Sequence, residues 1–259
     1  MKAEPKKPRA LISWSSGKDS AWMLACLQRS AAYEIAGLLV STNSHFARVA
    51  MHGTRMSVVA AQAQAVRLPL WEAPLPWPCS NQQYERIMRD VIDRAVREDI
   101  SVIAFGDLFL EDIREYREQQ LSGTGITPVF PLWMSGADPT QYTRQLAEEM
   151  IDGGLRAKLV CVDPKSVGGI DAALQFAGRD FDHPLLGDMP ATLDRCGERG
   201  EFHTCVYAGP MFASPLLLEP GDIVEWDGFV YADFELADRG LSSASTSGER
   251  DRQSAHPDI

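Results

Sequence analysis

The chain has 259 residues, 45% of them hydrophobic and 24% charged, with 20 Gly and 16 Pro. That composition excludes collagen-like and wholly disordered chains and is enough for a sizeable core. Its 36 acidic against 25 basic residues leave a formal charge of -11, the wrong sign for a protein held to nucleic acid by general phosphate contacts. The five cysteines, Cys26, Cys79, Cys161, Cys196 and Cys205, contain no C-x-x-C pair, so neither a disulfide framework nor a zinc ribbon is indicated, and a reducing, cytoplasmic setting is expected. No run has the length of a membrane span or the character of a signal segment, so no membrane partner is expected.

In chain order, residues 1–8 are expected to be flexible, and the apolar run 9–14 stops at Ser15-Ser16-Gly17 before a helix-favouring stretch over 18–29, which predicts strand, tight turn and helix. A second strand over 35–40 leads into Ser41-Thr42-Asn43-Ser44, after which Met56, Val59, Ala60, Ala63 and Val66 recur at helical spacing. Residues 68–75 predict a short strand. Tyr84, Ile87, Met88, Val91, Ile92 and Ala95 mark one face of a helix running to residue 97. A fourth strand, 101–105, ends in Gly106-Asp107. Alternating strands and helices imply an α/β, Rossmann-like parallel sheet with right-handed crossovers and helices on both faces. In such sheets ligands bind beyond the carboxyl ends of the strands, where residues 15–20, 41–44 and 106–107 would gather.

The first domain is read as residues 9–126, because Pro128, Pro131 and Pro139 change the texture from residue 127. A helix over 140–151 and a strand over 157–162 then open a smaller α+β lobe reaching residue 236. Within it, 223–226 and 229–232 read as a hairpin around Asp227-Gly228, an edge element with a structural role. Residues 237–259, rich in Ser, Arg, Asp and Gly, predict a disordered tail.

Ser15-Ser16-Gly17-Lys18-Asp19-Ser20 lies where free backbone N–H groups and a helix dipole hold an anion. Lys18 would add a point charge, and Ser15 and Ser20 hydroxyl donors. It is not a Walker A loop, since Ile12 stands where that loop needs Gly and Asp19 where it needs Ser or Thr. The simpler alternative is a helix capped by Ser15 or Ser16. At the fourth strand's end, Asp107 suits either magnesium or a helix cap, while Glu111, Asp112, Arg114 and Glu115 read as a solvated helix face. Met51, His52 and Arg55 would open a helix facing a ligand, with Arg55 suited to a phosphate or carboxylate. In Gly197-Glu198-Arg199-Gly200-Glu201-Phe202-His203-Thr204, strand alternation would put Glu201, His203 and Cys205 on one side. Glu201 or His203 would then be placed to accept a proton; an ordinary polar strand face is the alternative.

The loop resembles the S-G-G-x-D-S signature of PP-loop ATP pyrophosphatases, with Ser16 in place of the first Gly. Within that superfamily the chain is most similar to the diphthine–ammonia ligase family over roughly residues 9–215. The matching segments are Met51-His52-Gly53-Thr54-Arg55, Phe105-Gly106-Asp107 with Glu111-Asp112, Pro131-Leu132-Trp133 and the 197–204 segment. The resemblance implies a HUP-type nucleotide-binding domain followed by a substrate lobe. It also implies adenylation of a carboxylate with release of pyrophosphate, and capture of the acyl-adenylate by ammonia to form an amide. By motif matching, ATP would be held by Ser15, Ser16, Gly17, Lys18, Asp19 and Ser20 with Ser41, Met51, His52 and Gly106, and Mg2+ by Asp19 and Asp107. Arg55, Asp107, Glu198, Glu201, His203 and Thr204 would meet the carboxylate-bearing substrate, a small molecule or a modified protein side chain, with Lys18, Glu201 and His203 catalytic.

The lack of paired cysteines or a basic appendage sets tRNA thiolation aside, and Lys2 after Met1 sets aside a built-in glutaminase with an N-terminal Cys. Free ammonia, or ammonia from a separate glutaminase, is therefore the expected nitrogen source. A nucleotide sensor without turnover, and a ligase joining another amine to a small carboxylate, are the alternatives.

Overall fold

A computed structural model describes residues 6–134, 136 and 138–237. Residues 1–5 of the expected flexible N-terminus and 238–259 of the expected tail lie outside the described residues.

The first sheet contains β1 (Arg9–Ser13), β2 (Glu34–Asn43), β3 (Arg48–Val49), β4 (Leu70–Leu75), β5 (Ile100–Ala104) and β6 (Thr127–Val129), in the order β3-β2-β1-β5-β6 with β4 also alongside β2. All pairings are parallel except β2 with β3. The strands read as continuous apolar runs because both faces are covered. Neighbouring residues point to opposite sides: Ile12 and Leu38 join α1 (Lys18–Ser30) and α2 (Met56–Val66) in one core, whereas Leu11 and Leu39 join α3 (Asn81–Arg97) and α4 (Glu111–Leu121) in another. The result is an α/β layered sheet of mostly parallel strands, compatible with a Rossmann-like fold.

The expected boundary at residue 127 does not hold. β6 pairs in parallel with β5 through Val102↔Thr127 and Ala104↔Val129, so these residues complete the first sheet. Pro128 signalled a break in the sequence, but a proline is tolerated on an edge strand such as this one.

After α5 (Pro139–Asp152), the chain builds an antiparallel sheet from β7 (Arg156–Val162), β8 (Phe202–Ala208), β9 (Leu218–Trp226) and β10 (Phe229–Leu236), ordered β8-β7-β10-β9. Three short helices, α6 (Pro164–Val167), α7 (Ile170–Phe176) and α8 (His183–Asp188), connect β7 to β8. The β9–β10 turn carries positive φ at both Asp227 (51°) and Gly228 (81°), as a two-residue type I′ hairpin requires. Within this hairpin β9 is an edge strand of the sheet, whereas β10 pairs on both sides. The second sheet is not an independent body, because Leu159, Phe181, Phe202, Val206 and Val230 belong to the same apolar cluster as Ile12 and Trp22.

Candidate functional site

The 15–20 loop is fixed from beneath by buried polar contacts. Gln62, fully buried on α2, accepts from Trp14 Nε1 (2.9 Å) and donates to the carbonyls of Ser16 (3.1 Å) and Val206 (2.7 Å). Val206 N in turn donates to Ser16 O at 2.9 Å. These bonds hold the loop against β8 with Ser16 at φ 70°, a left-handed conformation that a non-glycine residue adopts at a cost of about 1–2 kcal/mol. Ser16 offsets part of that cost by donating from its hydroxyl to Thr54 Oγ1 (2.8 Å). A Cβ on Gly17 would lie 3.2 Å from the Thr204 carbonyl oxygen, and one on Gly106 would lie 3.2 Å from the backbone of Asp19 and Ser20. Glycine at both positions therefore lets three chain segments converge on the start of α1.

No side chain caps α1 at Gly17, so the expected alternative of a serine cap is not what forms. Lys18 N donates instead to Thr204 Oγ1 at 3.0 Å, and the Ser15 and Ser20 hydroxyls are 3.3 Å apart. A cavity of about 220 Å³ opens over this loop, lined by Ser15, Gly17, Lys18, Asp19, Ser20, His52, Gly106, Asp107, Arg117, Glu198, His203 and Thr204. It adjoins a larger one of about 540 Å³ at the carboxyl ends of β1, β2 and β5, whose walls include Leu39, Ser41, Met51, Leu75, Met88, Ile103 and Phe105. Ser15, His52, Phe105, Arg117 and His203 line both. Of the residues expected to bind nucleotide, all but Ser16 face these cavities; Ser16 shapes the loop while its side chain points to Thr54.

The charges are crowded. Lys18 Nζ donates to Asp19 Oδ2 (2.8 Å) and to the Cys196 carbonyl, and lies 5.4 Å from the Phe202 ring centroid. Burial pushes the Asp19 carboxyl up against the pull of Lys18. Burial likewise raises Asp107, against the pull of Arg117. It pushes Glu198 up to about 8, with the Asp19 charge adding to the effect, even though Glu198 Oε1 accepts from Leu108 N at 2.7 Å. Carboxyls raised in this way around one cavity favour an incoming cation. Asp107 Oδ2 is buried without a hydrogen-bond partner. Among the described residues no group of three or more His, Cys, Asp and Glu is arranged to hold a metal by itself. Mg2+, however, is commonly held by one or two carboxylates together with waters and phosphate oxygens, and the oxygen donors of Asp107 and Asp19 fit that pattern.

His52 and His203 stack with ring centroids 4.2 Å apart and planes at 31°. Burial, with the Lys18 charge nearby, pushes His203 down to about 4 and lowers His52 well below the ordinary value, so both rings are neutral near pH 7. His52 Nδ1 is buried without a partner.

Several sequence expectations are corrected. Met51, His52 and Arg55 do not open a helix: Met51 sits in a turn at φ 65°, and α2 begins at Met56 with Arg55 as its N-cap. Arg55 lines neither cavity. Its guanidinium holds Asp233 (Nε to Oδ2, 2.9 Å) and Glu235 (2.7 Å) on β10, because those carboxylates satisfy it there. Glu201 also falls outside the cavities. It precedes β8, and its Oε2 accepts from Arg199 N at 2.9 Å, so the alternation that would have aligned it with His203 has not begun. Asp107 caps no helix, since the N-cap of α4 is Leu110.

Arg117 is the residue the sequence reading missed. It reaches both cavities from α4, its Nε lies 3.7 Å from Asp107 Oδ2, its guanidinium lies 5.0 Å from the Phe105 ring centroid, and that Nε is buried without a hydrogen-bond partner. The signal was Arg117 on the inward stripe Ile113, Arg117, Leu121 at i, i+4, i+8 of an otherwise polar helix. Compared with known proteins, the chain matches no family model and no curated protein.

Proposed function

We propose that the chain is an ATP-dependent amide ligase resembling diphthine–ammonia ligase, which adenylates a carboxylate, releases pyrophosphate and transfers ammonia to the acyl group. This reading takes the first sheet as a HUP-type nucleotide domain and the second as its substrate lobe. The observation that carries it is the continuity of the loop cavity with the large apolar one through Ser15, Phe105, Arg117 and His203. A slot of about 540 Å³ lies within the usual range for small-molecule sites and is lined mainly by apolar side chains suited to adenosine. The anion-seeking loop lies at its mouth.

In this reading the Ser15 and Ser20 hydroxyls and the Gly17 N–H hold phosphate oxygens, and Arg117 supplies a guanidinium with an unspent donor. Asp107 and Asp19 would hold Mg2+, which supplies charge neutralisation on the phosphates. A substrate carboxylate oxygen attacks the α-phosphorus as the bond to pyrophosphate breaks, giving an acyl-adenylate. Ammonia then attacks the acyl carbon, AMP departs with the bridging oxygen, and one proton is lost. In this reading His203, neutral and lining both cavities, accepts a hydrogen bond from ammonia at a ring nitrogen and orients it, and the proton leaves to water. Glu201 has no part in this scheme.

Incubation with Mg-ATP, 15N-ammonium and a deproteinated cell extract, read by mass spectrometry, tests the proposal. AMP, pyrophosphate and a 15N-labelled amide in matching amounts are expected. ADP and orthophosphate as the only nucleotide products would overturn it, and tight nucleotide binding with ATP left intact would favour a sensor.

A further inference from the structure

A third cavity, of about 230 Å³, opens under the β9–β10 hairpin and plays no part in the scheme above. Its walls are an arc of aromatic rings contributed by both lobes. Phe46 and Trp77 lie 6.0 Å apart between centroids, Trp77 and Trp226 6.4 Å, Trp226 and Tyr231 6.2 Å, and Phe229 and Tyr231 6.4 Å, with planes tilted by 52° to 58°. Such spacing is typical of aromatic clusters, in which a further ring packs edge-on or offset. At the rim, Met51 is 80% and Trp77 55% exposed, apolar surface that the described residues leave uncovered. His203 lines this cavity as well as the other two, so a molecule seated here has one end beside the phosphate loop.

The polar groups in the wall are already spent or neutral. Arg48 donates to Asp233 Oδ1 (2.8 Å) and to the Gly53 carbonyl (2.6 Å). Burial pushes the Cys161 thiol up to about 12, so it stays protonated. Asp227 is the one carboxylate in the lining, and it sits at the exposed turn. Asp233, which pairs with Arg48, lies outside the lining, so an organic cation seated among the rings would face the Arg48 guanidinium with no buried carboxylate of the wall beside it. A neutral ring meets neither difficulty. A dry apolar cavity of about 150 Å³ accepts benzene, so this one has room for a ring and a short tail.

We infer that this cavity is the subsite for the non-reacting end of the acyl substrate, and that this end is a flat, uncharged aromatic ring, which makes the substrate a small aryl-bearing carboxylic acid. The inference rests on the ligase reading for the word substrate, but the binding it requires does not depend on turnover.

Isothermal titration calorimetry of the full chain without nucleotide provides the test, using phenylacetate, 3-phenylpropanoate and 4-(trimethylammonio)butanoate as probes. The aryl acids are expected to bind saturably and the trimethylammonio acid more weakly. Trp226→Ala should weaken aryl-acid binding by about tenfold, and Trp77→Ala, at a position exposed enough to leave folding intact, by about fivefold. MgATP affinity should stay unchanged in both. Preference for the trimethylammonio acid, absence of aryl-acid binding, or aryl-acid binding indifferent to both substitutions would overturn the inference. A labelled amide formed from extract by a chain that binds no aryl acid would overturn the subsite alone. Aryl-acid binding lost on Trp77→Ala in a chain that never forms AMP would support the pocket while the ligase reading fails.

Discussion

Two arginine–aspartate clusters in this molecule use the same chemistry in opposite states of satisfaction. Between the lobes, Arg48 and Arg55 share Asp233 through several short hydrogen bonds and leave no lining role for Arg55. In the loop cavity, Arg117 and Asp107 approach only to 3.7 Å, and each keeps a buried polar atom without a partner. Buried polar groups in folded proteins are nearly all hydrogen-bonded, so an unsatisfied pair facing a cavity calls for an explanation that a satisfied pair does not. The first cluster holds the lobes together; the second is open to a ligand.

Substitutions at the two clusters should therefore separate binding from stability. The largest effect is expected for Arg117→Ala, which should weaken MgATP binding by about 10- to 100-fold in calorimetry, the worth of hydrogen bonds to a charged group, while Tm moves by no more than about 2 °C. A large fall in Tm with unchanged affinity would place Arg117 with the structural cluster. Asp233→Ala should do the reverse. Taking the shared carboxylate from two half-buried guanidinium groups, which keep only Glu235 and the Gly53 carbonyl as partners, should cost about 2 kcal/mol, read by denaturant titration, with MgATP affinity within twofold. Hydrogen bonds from both arginines hold the Asp233 carboxyl below its ordinary value despite the opposing effect of burial. Its stabilisation is therefore present above about pH 4 and lost on acidification, and the wild-type advantage over Asp233→Ala should shrink at pH 3.

Glu198 gives a smaller effect of opposite sign. Its folded pKa near 8 stands above the unfolded value, so ionisation favours the unfolded chain as pH rises from about 4.5 to 8. Glu198→Gln, which keeps an oxygen for Leu108 N, should match wild type in Tm at pH 4 and exceed it by about 3 °C at pH 8. Equal Tm values at both pH values would show that this carboxyl is not strained by its surroundings. The smallest change is expected at Glu201→Gln, where the amide oxygen can still accept from Arg199 N; AMP formation should stay within twofold of wild type, and a hundredfold loss would restore Glu201 to the site.

The sequence made the loop legible because its signals are local. A short apolar run, small residues and a helix-forming stretch specify strand, turn and helix between residues 9 and 30 whatever the rest of the chain does. What it hid depends on distant partners. Arg55 looked like a ligand-binding arginine until Asp233, 178 residues away, was seen to satisfy it. Glu201 looked like a proton acceptor because alternation was counted from one residue before β8 begins. The hairpin was read as structural because its aromatic residues find their counterparts Phe46 and Trp77 only when the lobes meet.

The bonds made by Gln62 bear on when the protein becomes competent during synthesis. Once the first 130 residues have left the ribosome, every strand of the first sheet has been made, and so has the loop at residues 15–20. The loop's partners on β8, Thr204 Oγ1 and the backbone of Val206, still lie more than 70 residues away in untranslated message. Gln62 until then has no Val206 carbonyl to hold, and Lys18 N no hydroxyl to meet. A nascent chain therefore carries the whole 15–20 loop in its sequence well before it can fix that loop in space, which requires that β8 has also been made.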